Sequence, residues 1–159
     1  MKNFKLNEID ILSNQDWTFP TTTYYGPGRF NEIGKFCEEF EFKNPLIVTD
    51  SGSKDLPFIN KLETLLSKND IKSEVFYDIS PNPRDDEISK GCDQFRSGKH
   101  DAIIAIGGGS AMDGGKSICL TVNSDTPLWD FEFEQPVPEI TKENAFPKII
   151  TIPTTSGTG

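Results

Sequence analysis

The sequence is short of cysteine and histidine and has no long apolar run. Its three cysteines, Cys37, Cys92 and Cys119, are widely spaced and form no CxxC pair. Neither a disulfide framework nor a zinc site is therefore indicated, and we expect a cytoplasmic protein. The one histidine, His100, stands in a predicted turn, where we expect a solvent-exposed side chain without a chemical task. No apolar stretch approaches the roughly 18 to 20 residues that cross a bilayer.

Basic residues are also scarce relative to acidic ones. Among 159 residues, 16 Lys and Arg face 25 Asp and Glu, which gives a net charge of −9 at pH 7. Because the field around such a protein repels polyphosphates, we expect no nucleic-acid partner, and the lack of apolar runs predicts no membrane partner. The length is sufficient for one domain with its own core.

From about Thr21 onward, short apolar runs alternate with stretches of helical spacing. Strands are predicted at residues 21–25, 46–49, 74–77, 101–106 and 148–152. Because parallel strands need long crossovers, this alternation predicts an α/β fold, a Rossmann-like doubly wound parallel sheet with helices on both faces. We expect residues 1–20 to be a lead-in segment and residues 21–159 to form a single domain.

Residues 123–147 interrupt the alternation. Their prolines and their lack of a period predict a long loop that is functional or mobile. A lid over a cofactor is one alternative. Another is a short hairpin strand, because Phe131 and Phe133 alternate with acidic residues.

Three successive glycines, Gly107, Gly108 and Gly109, lie between a predicted strand and a helix that begins near Ser110. Glycine permits a sharp turn and the close approach of a ligand, and the free N–H groups of a helix start attract phosphate. The spacing matches neither GxGxxG nor GxxxxGK[ST]. From these residues alone, a tight turn that packs the helix on its strand explains the pattern as well as a diphosphate site does.

Two carboxylates accompany this loop. Asp50 directly follows the second predicted strand, where a doubly wound fold places an acid that binds ribose hydroxyls and repels a 2′-phosphate. That interpretation favours NAD over NADP. Alternatively, Asp50 caps the following helix together with Ser51 or Ser53. Asp113 either accepts a hydrogen bond from a ribose hydroxyl or an amide, or forms a surface ion pair with Lys116.

The motif GGGSAMDGGK at residues 107–116, followed by PTTSGTG at 153–159, resembles the iron-containing (group III) alcohol dehydrogenase family. Supporting matches are the GPG turn at 26–28, VTD at 48–50 and PNP at 81–83. The resemblance implies that residues 21–159 are a dinucleotide-binding domain, truncated at its C-terminal end. In the family, an all-helical half follows this domain, and the resemblance implies that this half is absent from the chain.

The resemblance also implies roles for individual residues. Gly108, Gly109 and Ser110 would hold the cofactor diphosphate, Asp50 and Asn82 would contact the adenosine side, and three threonines would border the cofactor. The predicted cofactor-binding residues are Asp50, Asn82, Gly107, Gly108, Gly109, Ser110, Asp113, Thr154, Thr155 and Thr158. No catalytic residue or metal ligand of the family maps onto this chain. Gly115 stands where the family usually has Ala, which is expected to loosen the helix by up to about 1 kcal/mol.

The expected function is the cofactor-binding part of a metal-dependent alcohol dehydrogenase. The whole protein would transfer a hydride between an alcohol or aldehyde and NAD, with NADP as the alternative cofactor. A divalent metal, iron or zinc, would be bound by the missing helical half, so this chain alone would be inactive. When full length, the protein is expected to form a homo-oligomer.

Two other functions fit the same residues. One is a member of the same superfamily similar to glycerol dehydrogenase or dehydroquinate synthase, which share the GGGS-type loop. The other is a nucleotide-binding module without catalysis.

Overall fold

Six strands and four α-helices follow one another in the computed structural model, which describes residues 15–18, 21–132, 134–136 and 138–156. The strands are β1 (Gln15–Thr18), β2 (Thr22–Tyr25), β3 (Leu46–Asp50), β4 (Glu74–Ile79), β5 (Ala102–Gly107) and β6 (Lys148–Pro153). The helices are α1 (Ile33–Glu39), α2 (Pro57–Ser67), α3 (Asp85–Ser97) and α4 (Gly109–Thr121).

The central sheet contains β3 to β6, all parallel, in the spatial order β4-β3-β5-β6. Strand β5 is buried along its whole length, and β3 is buried up to Asp50. Their sequences LIVT and AIIAI are continuous apolar or β-branched runs because helices cover both faces of these strands. The sequence therefore predicted these two strands from composition.

Each face of the sheet has its own hydrophobic core. On one face, α1 and α2 pack with Ile47 and Ile104, and on the other, α3 and α4 pack with Val48 and Ile103. Successive residues of a strand point to opposite faces, so each strand contributes to both cores. The predicted doubly wound parallel sheet is confirmed.

Strands β1 and β2 form a separate antiparallel pair. The strand predicted at 21–25 exists as β2, but it does not join the parallel sheet, and part of the expected lead-in is a strand. A short connection between two strands favours antiparallel pairing, which explains the difference. The hairpin packs against the rest of the domain through Tyr24, whose ring centroid lies 4.3 Å from that of Phe36 in α1.

The expectation that His100 is solvent-exposed is wrong. Its side chain is fully buried, and its ring lies 5.9 Å from that of Phe95. The imidazole Nδ1 is 2.9 Å from the Asn44 carbonyl oxygen, 56 residues away in sequence. The local sequence predicts a turn here. Burial of the imidazole depends on the segment before β3, which is distant in sequence and contacts the ring through the Asn44 carbonyl group.

The long segment 123–147 contains one short 3-10 helix among its described residues, at Leu128–Phe131. The alternative of a short hairpin strand is wrong for Phe131, which lies in this 3-10 helix, and Phe133 lies outside the described residues. Trp129 is largely exposed, and its indole N–H donates to Asp85 Oδ2 at 3.3 Å, at the start of α3. In the ranges described above, no helix has the length and apolarity to span a membrane.

Candidate functional site

The candidate site lies at the carboxyl edge of the sheet, between β3 and β5. After β3 the chain adds β4 on one side, then crosses to place β5 on the other side of β3. This reversal leaves a crevice between the diverging connections, and open α/β sheets bind ligands there. Asp50 ends β3 and Gly107 ends β5, so the fold brings these two predicted residues to the crevice.

At the first position of the glycine loop, the backbone has a conformation that only glycine adopts without strain. Gly107 has φ +146°, and an added Cβ would lie 2.7 Å from the Ala111 Cβ and 3.0 Å from Asp50 Oδ2. At Gly109 an added Cβ would meet no described atom within 4 Å. The loop therefore presents bare backbone to the crevice.

Helix α4 begins in this loop and offers free amides. Its first backbone hydrogen bond across the N-terminus runs from Met112 N to Gly108 O at 3.2 Å. The amides of Gly109, Ser110 and Ala111 precede this bond, and such amides have no partner within their own helix. With the positive end of the helix dipole, they form a place for an anion that needs no basic side chain.

The Asp50 carboxylate is fixed by its own turn. Ser53 Oγ donates a hydrogen bond of 2.8 Å to Asp50 Oδ2. Helix α2 starts only at Pro57, and its N-cap, Leu56, makes no side-chain capping bond. The alternative that Asp50 caps this helix is therefore wrong.

Asn82 lies exposed in a turn that wraps around one buried carboxylate. Glu87 Oε2 accepts hydrogen bonds from Ser80 N and Ser80 Oγ, both at 3.1 Å, and from Arg84 N at 3.2 Å. Burial raises the pKa of the Glu87 carboxyl, but the hydrogen bonds from Ser80 and Arg84 outweigh burial and leave this pKa below its ordinary value. Sequence reasoning did not assign Glu87; its signal was its place in the first turn of the helix after PNP.

Ser110 connects this turn to the glycine loop. Its hydroxyl donates to the Pro81 carbonyl oxygen at 2.6 Å, so this side chain is engaged within the protein. The residue that follows β6 also contacts the glycine loop, because Thr154 N donates a hydrogen bond of 2.8 Å to Gly107 O. A Cβ on Gly108 would lie 3.7 Å from the Thr155 side chain.

The structure therefore brings most predicted site residues together. Asp113 is exposed, one turn after Gly109 on the same side of α4. The ion pair with Lys116 is absent from the described part of the chain. Thr158 lies outside the described residues.

A metal centre does not form from the side chains that the structure describes. No group of three or more His, Cys, Asp or Glu converges in those ranges. The thiols are also poor ligands at neutral pH because burial, helped by the Asp101 carboxylate, raises the pKa of Cys37 to about 12. Burial raises the pKa of Cys119 to about 11.

A depression of about 450 Å³ lies at the opposite, amino-terminal edge of the sheet. Phe42, His100 and Lys148 are among its lining residues, and none of the predicted cofactor-binding residues that the structure describes reaches it. Its shape alone does not point to a ligand. The convergence of free amides, a fixed carboxylate and glycines makes the carboxyl edge the better candidate site.

Comparison with known proteins covers nearly the whole chain. The model of the family "Iron-containing alcohol dehydrogenase" matches residues 20–159. The 1,3-propanediol dehydrogenase of Citrobacter freundii is 30% identical over 145 residues, covering 90% of this chain and 36% of that protein. The NADH-dependent butanol dehydrogenase A of Clostridium acetobutylicum is 33% identical over 144 residues, covering 88% of this chain and 36% of that protein.

A solved structure agrees in fold. The sulfoacetaldehyde reductase of Bifidobacterium kashiwanohense, solved in complex with NAD+, is 29% identical with a TM-score of 0.69. The match covers 84% of this chain and 34% of that one. The chain thus spans about a third of the length of each of these three proteins.

Proposed function

The chain belongs to the iron-containing alcohol dehydrogenase family, and we propose that it forms the part of such an enzyme that binds a nicotinamide adenine dinucleotide. In this proposal the whole protein transfers a hydride between an alcohol or aldehyde and the nicotinamide ring, with NAD preferred over NADP. The names of two similar proteins support the cofactor: one is NADH-dependent, and one was solved with NAD+.

One observation carries the proposal: the free amides at the start of α4 lie at the point where the strand order reverses. There, the amides of Gly109, Ser110 and Ala111 can donate to the oxygens of a diphosphate. Gly109 supports this because no described atom fills the space beside it. A protein of net charge −9 can hold a dianion in this way because the donors are backbone groups.

The other predicted residues receive roles around that diphosphate. Asp50 would accept hydrogen bonds from ribose hydroxyls, and Asn82 would contact the adenosine side. Thr154 and Thr155 would border the cofactor from the end of β6. The Ser110 hydroxyl already donates a hydrogen bond to the Pro81 carbonyl oxygen, so it would fix the turn that carries Asn82. The backbone amide of Ser110 would donate to the phosphate.

In this proposal the catalytic metal, iron or zinc, is bound by the helical half of the whole protein. None of the described side chains is proposed to bind it. Its chemistry there would be polarisation of the substrate oxygen. We also propose a cytoplasmic location, which the three unpaired, buried thiols support.

The test is a calorimetric titration of the protein with NADH and with NADPH, alongside two variants. Gly109→Asp places a carboxylate at the open position and, at a helix start, suits the fold. We expect NADH to bind more tightly than NADPH, and Gly109→Asp to weaken NADH binding by roughly tenfold or more through charge repulsion.

Ser67→Asp adds the same charge at the exposed C-terminal end of α2 and should leave NADH binding unchanged. Absence of NADH binding, or equal binding by wild type and Gly109→Asp, would refute the proposed site.

A further inference from the structure

Ser53 is almost fully buried and makes two hydrogen bonds to the same residue. Its side chain donates to Asp50 Oδ2 at 2.8 Å, and its backbone N–H donates to the Asp50 carbonyl oxygen at 3.0 Å. Only 8% of Ser53 is exposed, so its hydroxyl has little access to water. Asp50 is its side-chain partner in the described residues, and this bond sets the orientation of the carboxylate.

Two glycines leave space beside the same carboxylate. A Cβ on Gly107 would stand 3.0 Å from Asp50 Oδ2, and a Cβ on Gly52 would stand 3.2 Å from Oδ1. Both distances are shorter than ordinary contact, so a side chain at either position would crowd the carboxylate, and the two glycines leave it room. Asp50 itself remains half-buried, with part of its surface toward the crevice.

A carboxylate can accept about four hydrogen bonds, and Ser53 takes one of them. The remaining lone pairs suit two neighbouring hydroxyls, as a ribose presents. They also form a fixed negative charge, which repels a phosphate placed at the same position. A carboxylate free to rotate could turn away from a phosphate, whereas the hydrogen bond from Ser53 restrains the Asp50 carboxylate in one orientation.

We propose that Ser53 is a positioning residue that determines cofactor specificity. It holds the Asp50 carboxylate where it accepts the ribose hydroxyls of NAD and excludes the 2′-phosphate of NADP. This inference rests on the proposed function and adds to it a residue that contacts no cofactor itself. Without the Ser53 hydroxyl, the carboxylate gains freedom, binds the diol less well and tolerates the phosphate better.

The experiment measures the dissociation constants of NADH and NADPH for wild type, Ser53→Ala and the control Ser67→Ala. We expect the preference for NADH over NADPH to fall about threefold to tenfold in Ser53→Ala, the size of one hydrogen bond that orients a charge. Ser67→Ala removes an exposed serine hydroxyl from the far end of α2 and should keep the wild-type ratio.

A second pair of variants covers the case in which Ser53→Ala folds poorly. Ser53→Thr and Ser53→Val have nearly the same shape, and only threonine keeps the hydroxyl. We expect the threonine variant to keep more of the NADH preference than the valine variant. A purely structural role would lower the melting temperature and weaken both cofactors equally, leaving their ratio constant.

The outcomes separate this inference from the proposed function. If wild type binds neither cofactor, the proposed function fails and this inference fails with it. If wild type prefers NADH and Asp50→Asn abolishes that preference, the proposed function stands. An unchanged ratio in Ser53→Ala, and equal ratios for the threonine and valine variants, would then overturn the role of Ser53 alone.

Discussion

Gly115 of α4 lies so close to Ala105 of β5 that a Cβ added to Gly115 would stand 2.5 Å from the Ala105 Cβ. Both residues are buried, and the contact sets how closely the helix approaches the sheet. The resemblance drawn from the sequence led us to expect alanine at this position, and helix propensity alone predicts that glycine weakens the helix. In this chain, close packing on β5 requires the glycine.

Gly115→Ala should therefore destabilise the protein. Overpacking costs about 1–3 kcal/mol, which exceeds the gain in helix propensity of up to about 1 kcal/mol. Urea denaturation of wild type and variant measures the difference in the free energy of unfolding. Ala105→Gly removes the facing methyl group, so the double variant should regain part of the loss, and strict additivity of the two substitutions would contradict the contact.

Gly107→Ala and Gly109→Ala should behave differently although they are two residues apart. The first must adopt φ +146° with its Cβ 2.7 Å from Ala111, so we expect a loss of about 1–3 kcal/mol in unfolding free energy. The second enters open space at the helix start and should be neutral or slightly stabilising. Thermal unfolding compares them, and equal melting temperatures would show that the loop has another conformation.

Glu87→Gln should loosen the turn that carries Asn82. The Glu87 carboxylate accepts three hydrogen bonds in this turn. Replacing the carboxylate should therefore lower the free energy of unfolding by about 1–3 kcal/mol near pH 7. The pKa of Glu87 is lowered in the folded state, so its stabilising contribution is present above the ordinary value of 4.5 and lost as the pH falls through the lower folded value.

The difference in unfolding free energy between wild type and Glu87→Gln should accordingly narrow as the pH falls below the ordinary value of 4.5. Denaturation series at several pH values measure this gap. Glu39→Gln, at an exposed position near the end of α1, is the matched control and should change stability little at any pH. A gap that stays constant down to acid pH would contradict the role of the Glu87 carboxylate.

The buried thiols should be unreactive in the folded protein. Burial raises the pKa of Cys37 to about 12 and of Cys119 to about 11, and it also raises that of Cys92. At pH 8 we expect slow reaction with an aromatic disulfide reagent in buffer and rapid reaction of all three thiols in denaturant. Reaction of any thiol in the native protein at the rate of free cysteine would contradict this burial.

The same shifts predict a loss of stability in alkali. A thiol whose folded-state pKa lies above its unfolded value of 9.0 stabilises the fold fully below pH 9. That contribution declines as the pH rises toward the folded values of about 11 and 12. Cys37→Ala should show a shallower decline over this interval in the same denaturation series, and an equally steep one would contradict the shift.

Local pattern was sufficient for the elements that bury continuous apolar runs. Strands β3 and β5 and the helices after them could be predicted because a buried parallel strand or a helix with one apolar face leaves a pattern within its own stretch of sequence. The Gly107–Gly109 turn was also visible, because its conformation depends on the absence of side chains. The hairpin partner β1 and the buried state of His100 were missed, since each depends on a contact with another segment.

The sequence by itself determined the doubly wound α/β class, the glycine loop and the acid at the end of β3, since backbone sterics and hydrophobic period act within one segment. The tertiary structure alone decided that Asp50 faces Gly107, that Ser53 holds this acid and that Gly115 must lack a side chain against Ala105. Those relations join residues brought together by sheet order and close packing. At such contacts a single methyl group or hydroxyl changes the packing, and the periodicity of one segment does not predict these contacts.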